Sequence, residues 1–196
     1  MKPRFIQGLF ICLVCMIATP AQAAVVYTYA GNPFDTFSSP SSYDASMLVT
    51  VTLELASKLG PNLNGVDVAP VSFNLDDGIQ IINDSNATDA SFNFSTDATG
   101  AITFWFVRAQ IGFPTDPPTV NDTSSSINTG KDSFSANDFG GTVTCLDVNC
   151  TTSANDFGEV INNAGAWSVV PLPPAFYLFG SGLLGLIGIV RRKAAA

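Results

Sequence analysis

The chain has 196 residues, 16 of them acidic and 8 basic, for a formal net charge of −8, and it contains no histidine. The missing imidazole removes Ser-His-Asp and Cys-His catalysis and most zinc and copper sites. The acidic balance removes nucleic acid as a partner, because a phosphate backbone needs positive charge opposite it.

Residues 1–23 have the layout of a secretory signal peptide. Lys2 and Arg4 give a positive start, and Phe5 to Ile17 is apolar apart from Gln7. Ala21-Gln22-Ala23 then places small residues where signal peptidase reads them, so cleavage is expected before Ala24. The apolar stretch is too short for a permanent span, and no basic stop follows it. Cys12 and Cys15 leave with this segment.

Residues 24–169 form the exported body, long enough for one core and one domain. They hold all 16 acidic residues but only Lys58, Arg108 and Lys131 as cations, a formal charge of −13. Such a surface favours cations and hydrated polymers. The pattern along the body is β. Tyr27 and Tyr29 mark a first strand. Met47, Val49, Val51, Leu53 and Leu55 alternate with Leu48, Thr50, Thr52 and Glu54, the period of a strand with one dry face. Val71, Phe73 and Leu75 repeat it, and Asp76-Asp77-Gly78 supplies a turn before Ile79 to Ile82. A polar loop then offers Asp84, Asn86 and Asp89, oxygen ligands suited to calcium, or simply an acidic loop. Asp116 and Asp122 lie in a second such loop. Phe92 and Phe94 read as one arm of a hairpin, Asp97 to Gly100 as its turn, and Ile102, Phe104 and Phe106 as the other arm. Trp105 then lies on the face opposite Phe104 and Phe106. If that pair is buried, Trp105 is open for a sugar ring to stack on. Packing under a cover is the other reading.

Residues 112–131 hold Pro114, Pro117, Pro118 and a serine run, and read as a long exposed loop. The segments Ser135–Gly140 and Ser153–Gly158 are identical and lie 18 residues apart. They suggest a duplicated arm with Phe139 and Phe157 pinned to the core. Between them, Cys145 and Cys150 are the only cysteines of the body. An exported location is oxidising, so a disulfide between them is expected. Ala166 to Val170 reads as the last strand. With no helical stripe in the body, the expected fold is all-β, an antiparallel sandwich-like single domain.

Residues 170–196 form a third unit. Val170, Pro171, Leu172, Pro173 and Pro174 open it, an uncharged run of 16 residues from Ala175 to Val190 follows, and Arg191, Arg192 and Lys193 close it. As a helix that run reaches about 24 Å, so a span recruits the proline entry or snorkelling arginines. The basic end predicts a cytoplasmic C-terminus and an external body.

This tail resembles the C-terminal sorting signal of PEP-CTERM exported bacterial proteins, in the variant Val-Pro-Leu-Pro followed by Leu178 to Gly188 and the basic end. Leu172 stands where the name-giving glutamate would be. The resemblance implies a single transmembrane sorting helix and recognition by an exosortase-like membrane peptidase at Val170 to Pro174. It implies release to the cell surface or extracellular matrix, among exopolysaccharide. Tyr27-Thr28-Tyr29, Gly31 to Phe34, Asp76-Asp77-Gly78 and Ser95 to Gly100 also resemble uncharacterised cargo domains of that class, with no activity implied. The expected function is therefore that of a non-enzymatic surface or matrix structural protein, with signal peptidase, the sorting peptidase and exopolysaccharide as partners. A carbohydrate-binding module and a polysaccharide-processing enzyme are the alternatives. No cofactor is expected, calcium aside.

Overall fold

In Thr50–Leu55, Val51, Leu53 and Leu55 point inward while Thr50 and Thr52 face solvent. Burying each such aliphatic side chain contributes about 1.5–3 kcal/mol, which outweighs local preference and fixes the register. The computed structural model describes residues 24–170. The expected signal peptide, Pro171 to Pro174, the apolar helix, and Arg191, Arg192 and Lys193 lie outside the described residues.

The described chain is all-β. In order the strands are β1 (Val25–Ala30), β2 (Thr36–Phe37), β3 (Thr50–Leu55), β4 (Val66–Asp67), β5 (Ser72–Asp76) and β6 (Ile81–Asn83). They continue with β7 (Asp89–Thr96), β8 (Ile102–Ile111), β9 (Thr123–Lys131), β10 (Ala136–Cys145), β11 (Ser153–Val160) and β12 (Ala166–Val170). A 3-10 turn at Val148–Cys150 is the one helical element among the described residues. The strands form two antiparallel sheets, a five-stranded one in the order β12-β1-β3-β5-β6 and a seven-stranded one in the order β2-β11-β10-β9-β8-β7-β4. Their inner faces meet in a core that includes Tyr27, Tyr29, Leu53 and Leu75 from the first and Phe92, Phe94, Val107 and Ile127 from the second. The first and last strands pair antiparallel, Val26 opposite Val170, so both ends of the body leave from one corner.

Three expectations are corrected here. Phe104 and Phe106 face out, not in. Phe94 pairs with Trp105 and Phe92 with Val107, so Trp105 and Val107 share the inner face. The register shifts at Ser95/Thr96, where Thr96 pairs with Ile102 and Thr103 is the extra residue. One inserted residue changes the phase of a period-two pattern, so Ile102 and Trp105 both turn inward. The polar loop is shorter than 112–131, because Thr123–Lys131 is strand β9, paired on both sides. Its serines mask two buried positions, Ile127 and Thr129. The repeated phenylalanines are not core pins either. Phe139 and Phe157 are half-buried and stack on each other, 5.9 Å apart at 24°. The glycines beside them, Gly140 and Gly158, are the residues that turn inward, where a Cβ would strike Asp77 and Phe34 respectively.

Candidate functional site

Trp105 is only 6% exposed, whereas Phe104 is 39% and Phe106 47% exposed. The indole packs near Tyr29, at 5.7 Å, and Trp167, at 6.3 Å. Its Nε1 donates to Thr129 Oγ1 at 3.0 Å, which satisfies the one polar atom the ring carries inward. Of the two readings of Trp105, packing under a cover is the one the structure bears out, and the open sugar platform is corrected. The exposed aromatics are its neighbours, on the outer face of the seven-stranded sheet.

That face is built by register. One row across it reads Asn93, Phe106, Gly130 and Asn137, and the next reads Ser91, Arg108, Asn128 and Phe139. Side chains paired across strands share a face, so rings and amides alternate over one surface. Phe106 leans beside Gly130, whose missing side chain leaves room for the ring. A shallow depression of about 240 Å³ follows, lined by residues including Phe106, Asn128, Gly130, Lys131, Ser135 and Asn137. Arg108 is held along its strand by Gln110, while Lys131 pairs with Trp105 and so belongs to the opposite face, 5.7 Å from the indole ring centre. Chemically, the rings can stack on the C–H face of a sugar, and the amides and guanidinium can bond to hydroxyls.

Of the calcium candidates, Asn86 shapes a turn. Asn86 Oδ1 accepts the Asn83 N–H at 2.7 Å and its Nδ2 donates to the Ile81 carbonyl at 2.9 Å, so the side chain forms the β6–β7 turn. Asp84 and Asp89 are exposed. Asp122 accepts the Thr119 N–H at 2.8 Å and the Thr115 hydroxyl. Among the described residues, no group of three or more His, Cys, Asp or Glu is placed to hold a metal ion. Asp76 and Asp77 form the expected turn. Asp76 accepts from Gly78 N–H at 2.8 Å, and Asp77 accepts from Ile79 and Gln80 at 3.0 and 2.8 Å. Gly78 there has φ +91°, which favours glycine.

Sequence reasoning missed the interior carboxylates. Asp138 is fully buried, and the Tyr29 hydroxyl donates to both its oxygens at 2.7 and 2.9 Å. That hydroxyl in turn accepts the Gly165 N–H at 2.6 Å. Burial raises the Asp138 carboxyl above its ordinary range, against the opposing bonds from Thr129 and Tyr29. Burial and the nearby Asp138 charge push Tyr29 up as well. Asp77 is also fully buried and accepts the Tyr43 hydroxyl at 2.7 Å, while Gln80 Nε2 donates to Tyr43 and to Thr142, each at 3.0 Å. The available signal was two glycines, Gly140 against Asp77 and Gly31 against Asp138, positions where a Cβ would strike the carboxylate. The Cys145–Cys150 disulfide is present and closes the β10–β11 connection. Val170, the first expected sorting residue, ends β12.

Compared with known proteins, the chain matches no family model, no curated protein and no solved structure.

Proposed function

We propose that the chain is an exported, non-catalytic surface or matrix protein whose β-sandwich associates with extracellular polysaccharide. Residues 170–196 are its sorting signal, processed by an exosortase-like membrane peptidase after a transient stay in the inner membrane. The observation that carries the polysaccharide contact is the outer face of the seven-stranded sheet, where Phe106 stands among Asn93, Asn128 and Asn137. The sorting half rests on the resemblance of the tail to PEP-CTERM signals. The proline box follows β12 directly in sequence.

A carbohydrate-binding module is the second reading, favoured by the depression beside Phe106. The polysaccharide-processing alternative has less support. The buried carboxylates Asp77 and Asp138 are each tied to a tyrosine between the sheets, whereas glycoside hydrolysis needs two carboxyls flanking a bound sugar. Two measurements test the proposal. Co-sedimentation with the host's exopolysaccharide should be lost on Phe106→Ala and kept on Phe134→Ala, a solvent-exposed ring in the β9–β10 turn. Mass spectrometry of the mature C-terminus should find the tail removed, and Pro171→Ala with Pro173→Ala should leave it in place. A surface product that still carries Arg191, Arg192 and Lys193, or turnover of a glycan, overturns the reading.

A further inference from the structure

Sheet edges carry unpaired N–H and C=O groups, and proteins shorten, charge or cover them to avoid adding a foreign strand. Among the described residues the outermost strands are β12 and β6 in one sheet and β2 and β4 in the other. Three are short, with two residues each in β2 and β4 and three in β6, and the stretches of β7 and β11 left uncovered beside them carry charges at Asp89 and Asp156. β12 is different. It has five residues, Ala166-Trp167-Ser168-Val169-Val170, with no charge and no proline. Its neighbour β1 is uncharged too. In a body of formal charge −13, these two strands form an area where two copies can meet without opposing like charges.

The space beside the edge is also open. A groove of about 320 Å³ lies between Trp167 and Val169 on one side and Ile102 and Trp105 on the other. Val169 pairs with Tyr27, a core residue, and so shares its inward side. It is nevertheless 45% exposed. This inward-facing valine is half in solvent, with no strand beyond it among the described residues.

We propose that β12 is a self-association edge, at which two copies pair β12 with β12 in antiparallel contact about a two-fold axis at Ser168. The two five-stranded sheets then become one continuous sheet. A strand that pairs antiparallel with its own copy is self-complementary and closes on itself, so the product is a dimer. Full overlap sets Ala166 opposite Val170, Trp167 opposite Val169, and Ser168 opposite the same residue of the other copy. Pro171 comes next and has no N–H to give, so the ladder ends with β12. This pairing is independent of the polysaccharide reading, because it uses the other sheet.

The test uses the full chain in detergent micelles. Ser168→Cys should form a disulfide-linked dimer on air oxidation, since the axis brings the two positions within bridging distance. Thr52→Cys, exposed on the interior strand β3 of the same sheet, should not. Val169→Lys places a charge at the paired edge and should weaken dimerisation about tenfold or more, with the fold retained. Equal cross-linking at positions 168 and 52, or cross-linking untouched by Val169→Lys, would indicate pairing through residues 171–196 and overturn the proposal. A monomer with slowly exchanging β12 amides would indicate that the chain's own tail covers the edge, and would overturn it as well.

Discussion

Asp138 and Asp156 hold the same place in two identical six-residue segments, and their surroundings drive them to opposite chemistry. The segments are paired neighbours in the seven-stranded sheet, with Gly140 facing Gly158. Antiparallel pairing about that glycine pair sends the two carboxylates to opposite ends of it. Asp138 lies under Tyr29, sealed from water, and burial raises its carboxyl. Asp156 lies towards the β2 edge. Partial burial opposes ionisation there, but the Ser42 N–H at 2.9 Å and the hydroxyls of Ser41 and Ser38 outweigh it and hold the group below its ordinary range. Identical local sequence thus gives one buried carboxyl raised above its ordinary range and one loop clasp. Distance from the sheet centre decides which, and no propensity scale contains that information.

The comparison can be broken most directly at the buried member. Asp138→Ala should destabilise the body by about 3 kcal/mol in a urea melt, because Tyr29 and Thr129 lose their acceptor in a dry site. Gly140→Ala should cost about 2–3 kcal/mol, since the new methyl meets the buried Asp77 carboxylate. Gly158→Ala meets Phe34 and Tyr43 and should cost a similar amount. The two glycines would then be equivalent where the two aspartates are not. Cys145→Ser opens the small disulfide loop that leads from β10 towards β11. The closed loop is short, so the expected loss is about 2 kcal/mol, read as a lower melting temperature without a change of fold. Asp156→Ala should cost only about 1 kcal/mol, because its partners can turn to water.

The smallest effect is a slope. A carboxyl whose folded value is raised stabilises fully below its unfolded value, and that contribution is lost as pH rises through the folded value. For Asp138 the loss begins above its ordinary 3.8. Asp138→Asn should therefore gain on the native protein as pH climbs from that point. Melting temperatures across a pH series check it, and a constant difference at all pH values would show that Asp138 is not the group responsible.

Much of this architecture could be read from the residues. The alternation from Val49 to Leu55 carried its own register, because burial on one face penalises any slip. The Asp97–Gly100 turn was legible from its chemistry: Asp97 accepts the Thr99 and Ala101 N–H groups, and Gly100 has φ +82°. The disulfide followed from two cysteines and the expectation of an oxidising destination. The β8 face was not legible, since the extra residue Thr103 leaves no trace in a hydrophobic count yet exchanges Trp105 for Phe106 at the surface. Strand β9 was hidden by its serines. In the middle of a sheet both neighbours supply hydrogen bonds, and the two inward residues Ile127 and Thr129 suffice to anchor it. The interior aspartates were invisible for a related reason. Their partners, Tyr29 and Tyr43, are more than 30 residues away along the chain.

The corner where β1 and β12 pair also sets how the body bears mechanical load. Val26 faces Val170, and the chain continues beyond both at the same end of the ladder. A pull on Val170, with the sandwich held fast elsewhere, loads the rung nearest the tether first and the others in turn. Rungs loaded one by one yield at lower force than rungs sheared together. Traction applied at Val170 should therefore peel β12 from β1 before it disturbs the two-layer core, leaving the seven-stranded sheet intact.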